Sequence, residues 1–126
     1  MSNIRIDVKS RTPIFEQLCA GIREEILSGA MAPGEALPSV RSLACELAIN
    51  PNTIQKAYAE LERQKLISSA PGRGSFVSDD IRPAMGAFEE RILGDLRAAV
   101  HRARLCSIEK KKLTDLIDKE WEGTKQ

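Results

Sequence analysis

Asn52, Thr53, Gln55 and Lys56 place two amides, a hydroxyl and an ammonium group within one five-residue stretch. An amide side chain presents donor and acceptor together and pairs bidentately with adenine, while lysine donates to guanine or to a phosphate. Asn50-Pro51 precedes the stretch. Asparagine is a strong helix cap and proline fits the first helical position, so these groups fall on the leading turn of a helix. Unpaired N–H groups and the helix dipole favour a phosphate there. Ala59, farther along the same side, adds no bulk and lets the helix lie close to a duplex. Two guanidinium groups join the set. Arg41 stands two residues after Ser39, and Arg73 is held between Gly72 and Gly74. An arginine in so tight a turn suits a phosphate backbone or a narrow minor groove.

The elements that must position these groups follow from hydrophobic spacing. Ile4, Ile6 and Val8 alternate with Arg5 and Asp7, as in a short strand or extended arm with one buried face. Thr12 is placed to cap a helix with Pro13 at its first position, and Ile14, Leu18, Ile22 and Ile26 recur every four residues up to Ser28-Gly29. Residues 30–38 form a turn-rich connector containing Pro33-Gly34. Ser39 caps a short helix with Val40, Leu43, Ala44 and Leu47 inward. The third helix buries Ile54, Ala57, Tyr58 and Leu61; Tyr58 reads as core with its hydroxyl near the edge, within reach of a phosphate. Two short helices joined by a tight turn make a helix-turn-helix. Residues 66–69 and 75–78, separated by a glycine-rich turn that ends in Gly74, read as a hairpin, and a hairpin in that place is a wing.

Asp79-Asp80 and Pro83 mark a boundary, giving residues 1–80 as a winged helix-turn-helix and 81–126 as an appendage. The expected fold class is mainly α with a small β wing, followed by a C-terminal α-helical hairpin. In the appendage Met85, Phe88, Ile92, Leu96, Val100, Leu113, Leu116, Ile117 and Trp121 step at helical spacing, with Ser107 expected to cap the last helix. Two helices cannot hide so many apolar groups from water alone, and an exposed patch of that kind marks an association surface. A twofold homodimer presenting two recognition helices and two wings to a near-palindromic double-stranded operator is the expected arrangement.

Length and charge narrow the field. The chain has 126 residues, 19 Lys and Arg against 18 Asp and Glu, and a formal charge of +1. Residues 1–80 carry nine basic and ten acidic side chains, so non-specific DNA affinity is expected to be weak and base contacts to matter. No apolar run approaches the roughly 20 residues of a membrane-spanning helix. The N-terminus lacks the apolar stretch of a secretory signal, which points to the cytoplasm. Cys19, Cys45 and Cys106 lie on or beside apolar helical stripes and read as small core residues, and His101 is the only histidine. No Cys/His spacing suits zinc, and Gly72-Arg73-Gly74 lacks the strand–loop–helix setting of a nucleotide cradle. Neither catalysis nor a cofactor is expected.

Taken together, Pro13-Ile14-Phe15-Glu16-Gln17-Leu18, then residues 34–44, Asn50-Pro51-Asn52-Thr53-Ile54-Gln55-Lys56-Ala57-Tyr58 and Gly72-Arg73-Gly74-Ser75-Phe76-Val77 resemble the winged helix-turn-helix of the GntR superfamily of bacterial transcription regulators. The short two-helix tail resembles the YtrA-type branch of that superfamily. The resemblance implies DNA contact by Arg41, and repression of neighbouring genes, frequently those of an ABC-type transporter, relieved by a signal; Ser39, at the start of the same helix, is counted with Arg41 among the DNA-binding candidates. Small-molecule control is expected at the hinge around residues 79–84, with the effector unnamed by the sequence. Two alternatives stand beside this reading: a winged-helix protein-interaction module without direct DNA recognition, and a redox- or metal-responsive regulator using Cys19, Cys45 or Cys106.

Overall fold

The computed structural model describes residues 4–123. Among them are five helices and a two-stranded sheet, in the order α1 (Ile14–Leu27), α2 (Val40–Leu47), α3 (Pro51–Arg63), β1 (Ile67–Ala70), β2 (Gly74–Val77), α4 (Arg82–Leu105) and α5 (Lys110–Gly123). Two compact units divide the chain after Gly86.

In the first unit, the four-residue spacing of α1 buries Leu18, Cys19, Ile22 and Ile26 against Ile54, Ala57, Tyr58 and Leu61 of α3. Leu43 and Ala44 of α2 close one side of this core, while Leu66, Ile67 and Val77 bring in the sheet. Burial at this level is worth about 1.5–3 kcal/mol for each large aliphatic side chain relative to exposure. β1 and β2 are antiparallel, with Ile67 opposite Val77 and Ala70 opposite Gly74.

Several local expectations are revised. Of the two forms expected for residues 4–8, the arm is present and the strand is not. Ile4 is buried, Val8 is exposed, and the segment is an arm latched by one side chain. Gln17 accepts from the Asp7 N–H at 2.8 Å and donates to the carbonyls of Asp7 and Thr12 at 2.9 and 2.8 Å. Thr12 does not cap α1; Pro13 occupies the cap position, with no side-chain hydrogen bond. The connector is more than a turn. Residues 34–37 run beside β2, where Leu37 donates to Ser75, Val77 to Glu35 and Gly34 to Val77 at 2.8–2.9 Å, and Met31 and Leu37 enter the core.

In the second unit, Ala103 is the only buried residue among those described. Leu96 of α4 and Ile117, Glu120 and Trp121 of α5 line a shallow groove of about 420 Å³, so the chain doubles back as a helical hairpin. Ser107 does not cap α5. It takes a left-handed conformation (φ 61°) that ends α4, with the Ile108 N–H donating to Ala103 at 2.9 Å. Helix α5 starts three residues later, after Glu109.

Candidate nucleic-acid interface

The interface is built on α2 and α3, joined by a three-residue turn. Ser39 Oγ accepts the Ser42 N–H at 3.0 Å and sets the start of α2. Ala48 ends α2 in the left-handed region (φ 55°) and turns the chain toward Asn50. Asn50 Oδ1 accepts the Asn52 N–H at 2.8 Å, with Pro51 at the first helical position. One more bond ties the two helices. The Tyr58 hydroxyl donates to the Pro38 carbonyl at 2.7 Å, so the middle of α3 is pinned to the approach to α2. That hydroxyl therefore belongs to the fold rather than to the edge where a phosphate was expected, and burial raises its pKa.

With Ile54, Ala57, Tyr58 and Leu61 turned inward, the opposite face of α3 is open to water. Asn52, Gln55, Lys56 and Ala59 are exposed, and Thr53 is half-buried beside them. Ser39 and Arg41, at the start of α2, are also exposed. Arg73 sits at the tip of the wing, where its N–H donates to the Ala70 carbonyl at 2.8 Å and leaves the guanidinium in solvent. Gly72 (φ 77°) and Gly74 (φ 104°) on either side have backbone angles that a side chain would strain.

One part of this face was not foreseen. Thr53, Lys56, Ala59, Glu60 and Arg63 of α3, with Phe15 of α1, line a groove of about 600 Å³. Glu60 grips Arg63 through two hydrogen bonds and accepts from Gln64 Nε2 at 2.7 Å, and Arg23 of α1 donates to Gln64 at 3.3 Å. The hydrogen bonds from Arg63 and Gln64 pull the Glu60 carboxyl down to about 2. The i, i+3 spacing of Glu60 and Arg63 was the available signal.

Of the three cysteines expected in the core, Cys19 alone is there. Cys19 is core: its thiol lies 4.0 Å from the Ala57 carbonyl, and burial pushes its pKa up, away from the reactive thiolate. Cys45 and Cys106 are exposed, because Cys45 falls outside the Leu43/Ala44 stripe and Cys106 follows the end of α4. No group of three or more His, Cys, Asp or Glu is arranged to hold a metal ion among the described residues. No helix among them is long and apolar enough to cross a membrane. Of the tail residues expected at an interface, Phe88 and Leu113 are half-buried. Met85, Ile92, Leu96, Val100, Leu116, Ile117 and Trp121 are 42–71% exposed.

Comparison with known proteins agrees with this architecture. Residues 14–77 match the model for bacterial regulatory proteins of the gntR family. The chain is 38% identical over 115 residues to the HTH-type transcriptional repressor YtrA of Bacillus subtilis (strain 168), covering 90% of this chain and 88% of that protein. A GntR family transcriptional regulator from Listeria monocytogenes superposes with a TM-score of 0.75 at 32% identity, over 88% of this chain and 97% of its own. AraR(DBD), solved in complex with operator ORE1, superposes with a TM-score of 0.52 at 27% identity, over 58% of this chain and 89% of its own. The chain belongs to the gntR family of bacterial regulatory proteins and is a DNA-binding transcriptional regulator with a winged helix-turn-helix.

Proposed function

We propose that the protein is a homodimeric repressor of its own gene cluster, an ABC-type transporter operon. The leading turn of α3 enters the major groove of a near-palindromic operator, and the wing tip meets the backbone or minor groove. The observation that carries this reading is the outward set of Asn52, Gln55 and Lys56 on a helix whose other face is fully committed to the core. Asn52 and Gln55 are the base-reading groups, with Thr53 and Lys56 beside them. Ser39, Arg41, Arg73 and Gly74 hold the phosphates on either side. The winged domain is residues 1–80 and the dimerising tail 81–126. The apolar groups left open on α4 and α5 support pairing of two chains, and the name of the B. subtilis relative supports repression over activation. A small-molecule effector acting at the hinge around residues 79–84 alters wing separation and so half-site fit.

Fluorescence anisotropy with labelled promoter DNA from the protein's own gene cluster tests the reading. Gln55→Ala is expected to cost about 1–3 kcal/mol and relax preference at one base position, with melting temperature unchanged. Arg41→Ala and Arg73→Ala should weaken all sequences alike and flatten the salt dependence. Unaltered binding by all three variants, or no binding of DNA by the wild type, overturns it in favour of a protein-interaction module.

A further inference from the structure

We propose that α5 pairs antiparallel with α5 of a second copy, about a twofold axis at Leu116, so that Lys112 of each copy meets Glu120 of the other. This rests on the homodimer reading above and goes beyond it by naming direction and register.

The charge order of α5 motivates it. Lys110, Lys111 and Lys112 occupy its first turn, which has no acid, while Asp115, Asp118, Glu120 and Glu122 follow toward the other end with only Lys119 among them. A helix dipole favours the reverse order, acids first and bases last. The helix therefore carries a charge pattern that its own backbone opposes. Reversing a second copy against it sets each lysine end beside an acidic end, whereas a parallel pair would set lysine against lysine.

The register comes from spacing. Lys112, Leu116 and Glu120 are four residues apart in turn and so lie along one face, all three exposed. A twofold interface brings residue i onto j and j onto i. A twofold at Leu116 exchanges positions 112 and 120, and these carry opposite charges. Among the described residues neither Lys112 nor Glu120 makes an ion pair, while Lys111 pairs with Asp115 at 3.5 Å. Leu116 and Ile117, about half-exposed at the middle of the helix, supply the apolar contact at the axis.

Sedimentation equilibrium of the full chain at low salt is the test, using wild type, Lys112→Glu, Glu120→Lys and the double variant. Each single exchange puts like charges together twice and is expected to raise the dimer dissociation constant at least tenfold. The double variant should return to within about threefold of wild type. An equimolar mixture of the two single variants should dimerise more tightly than either alone. Each exchange gives α5 the charge that its dipole prefers, so a weakened dimer cannot come from a melted helix. A dimeric wild type with unaffected single variants, or a double variant no better than the singles, overturns the antiparallel register and leaves the homodimer reading standing. A monomeric wild type at micromolar concentration overturns both.

Discussion

The two units solve the problem of apolar surface differently. In the first, every large side chain that reaches full burial (Leu18, Ile22, Ile26, Met31, Leu43, Ile54, Leu61 and Val77) is supplied by the same 86 residues. In the second, α5 buries nothing, and most of the large apolar groups of α4 and α5 stay open to water. The first unit has a core of its own, whereas the second leaves an apolar surface open, which in the proposed reading a second copy covers. The groups proposed to read DNA belong to the self-sufficient unit, where a packed core supports the helices that carry them.

Substitutions that ask each unit to behave like the other sharpen this contrast. The largest effect is expected from Leu61→Ala, which opens a cavity in a fully buried site and should cost about 2–5 kcal/mol in urea or thermal unfolding. Its counterpart in the tail, Leu116→Ala, should stay within about 0.5 kcal/mol for the single chain and appear instead as weaker self-association on dilution. Equal destabilisation by the two would break the comparison. Tyr58→Phe removes the bond to Pro38 and should cost about 1 kcal/mol, more if the carbonyl is left without water. It should also lower operator affinity without touching a DNA-facing group, because the bond pins α3 to the approach to α2. The smallest effect concerns Glu60. Its carboxyl titrates near 2 in the folded chain against an ordinary 4.5, so its contribution is complete above 4.5 and is lost as pH falls through 2. Glu60→Gln should flatten that part of the acid-unfolding curve, read by circular dichroism.

Local signals were the legible ones. The stripe Ile54, Ala57, Tyr58 and Leu61 is buried as its spacing indicates, and Asn50 and Ser39 cap as their side chains dictate. The wing followed from glycines flanking Arg73 between two short β-like runs. Features that depend on distant partners were not legible. Gln17 looks like an ordinary polar helical residue until it captures an arm ten residues upstream. Residues 34–37 have turn composition, and only the free edge of β2 gives them a ladder. Ser107 looked like a cap from its type, whereas the Ile108–Ala103 bond made it the residue that closes the preceding helix. The Glu60–Arg63–Gln64 cluster required knowing which way the α3 face turns.

That edge has a mechanical consequence. The segment laid along β2 runs directly into Pro38 and Ser39, so the hairpin is linked by three main-chain hydrogen bonds to the backbone that leads into α2. Force applied at Arg73 travels down β2, crosses three main-chain bonds and reaches Arg41 within four residues of Leu37. Tip and helix start thus face each other like the jaws of one caliper, whose gap is set by ladder hydrogen bonds together with the buried side chains of Leu37 and Val77.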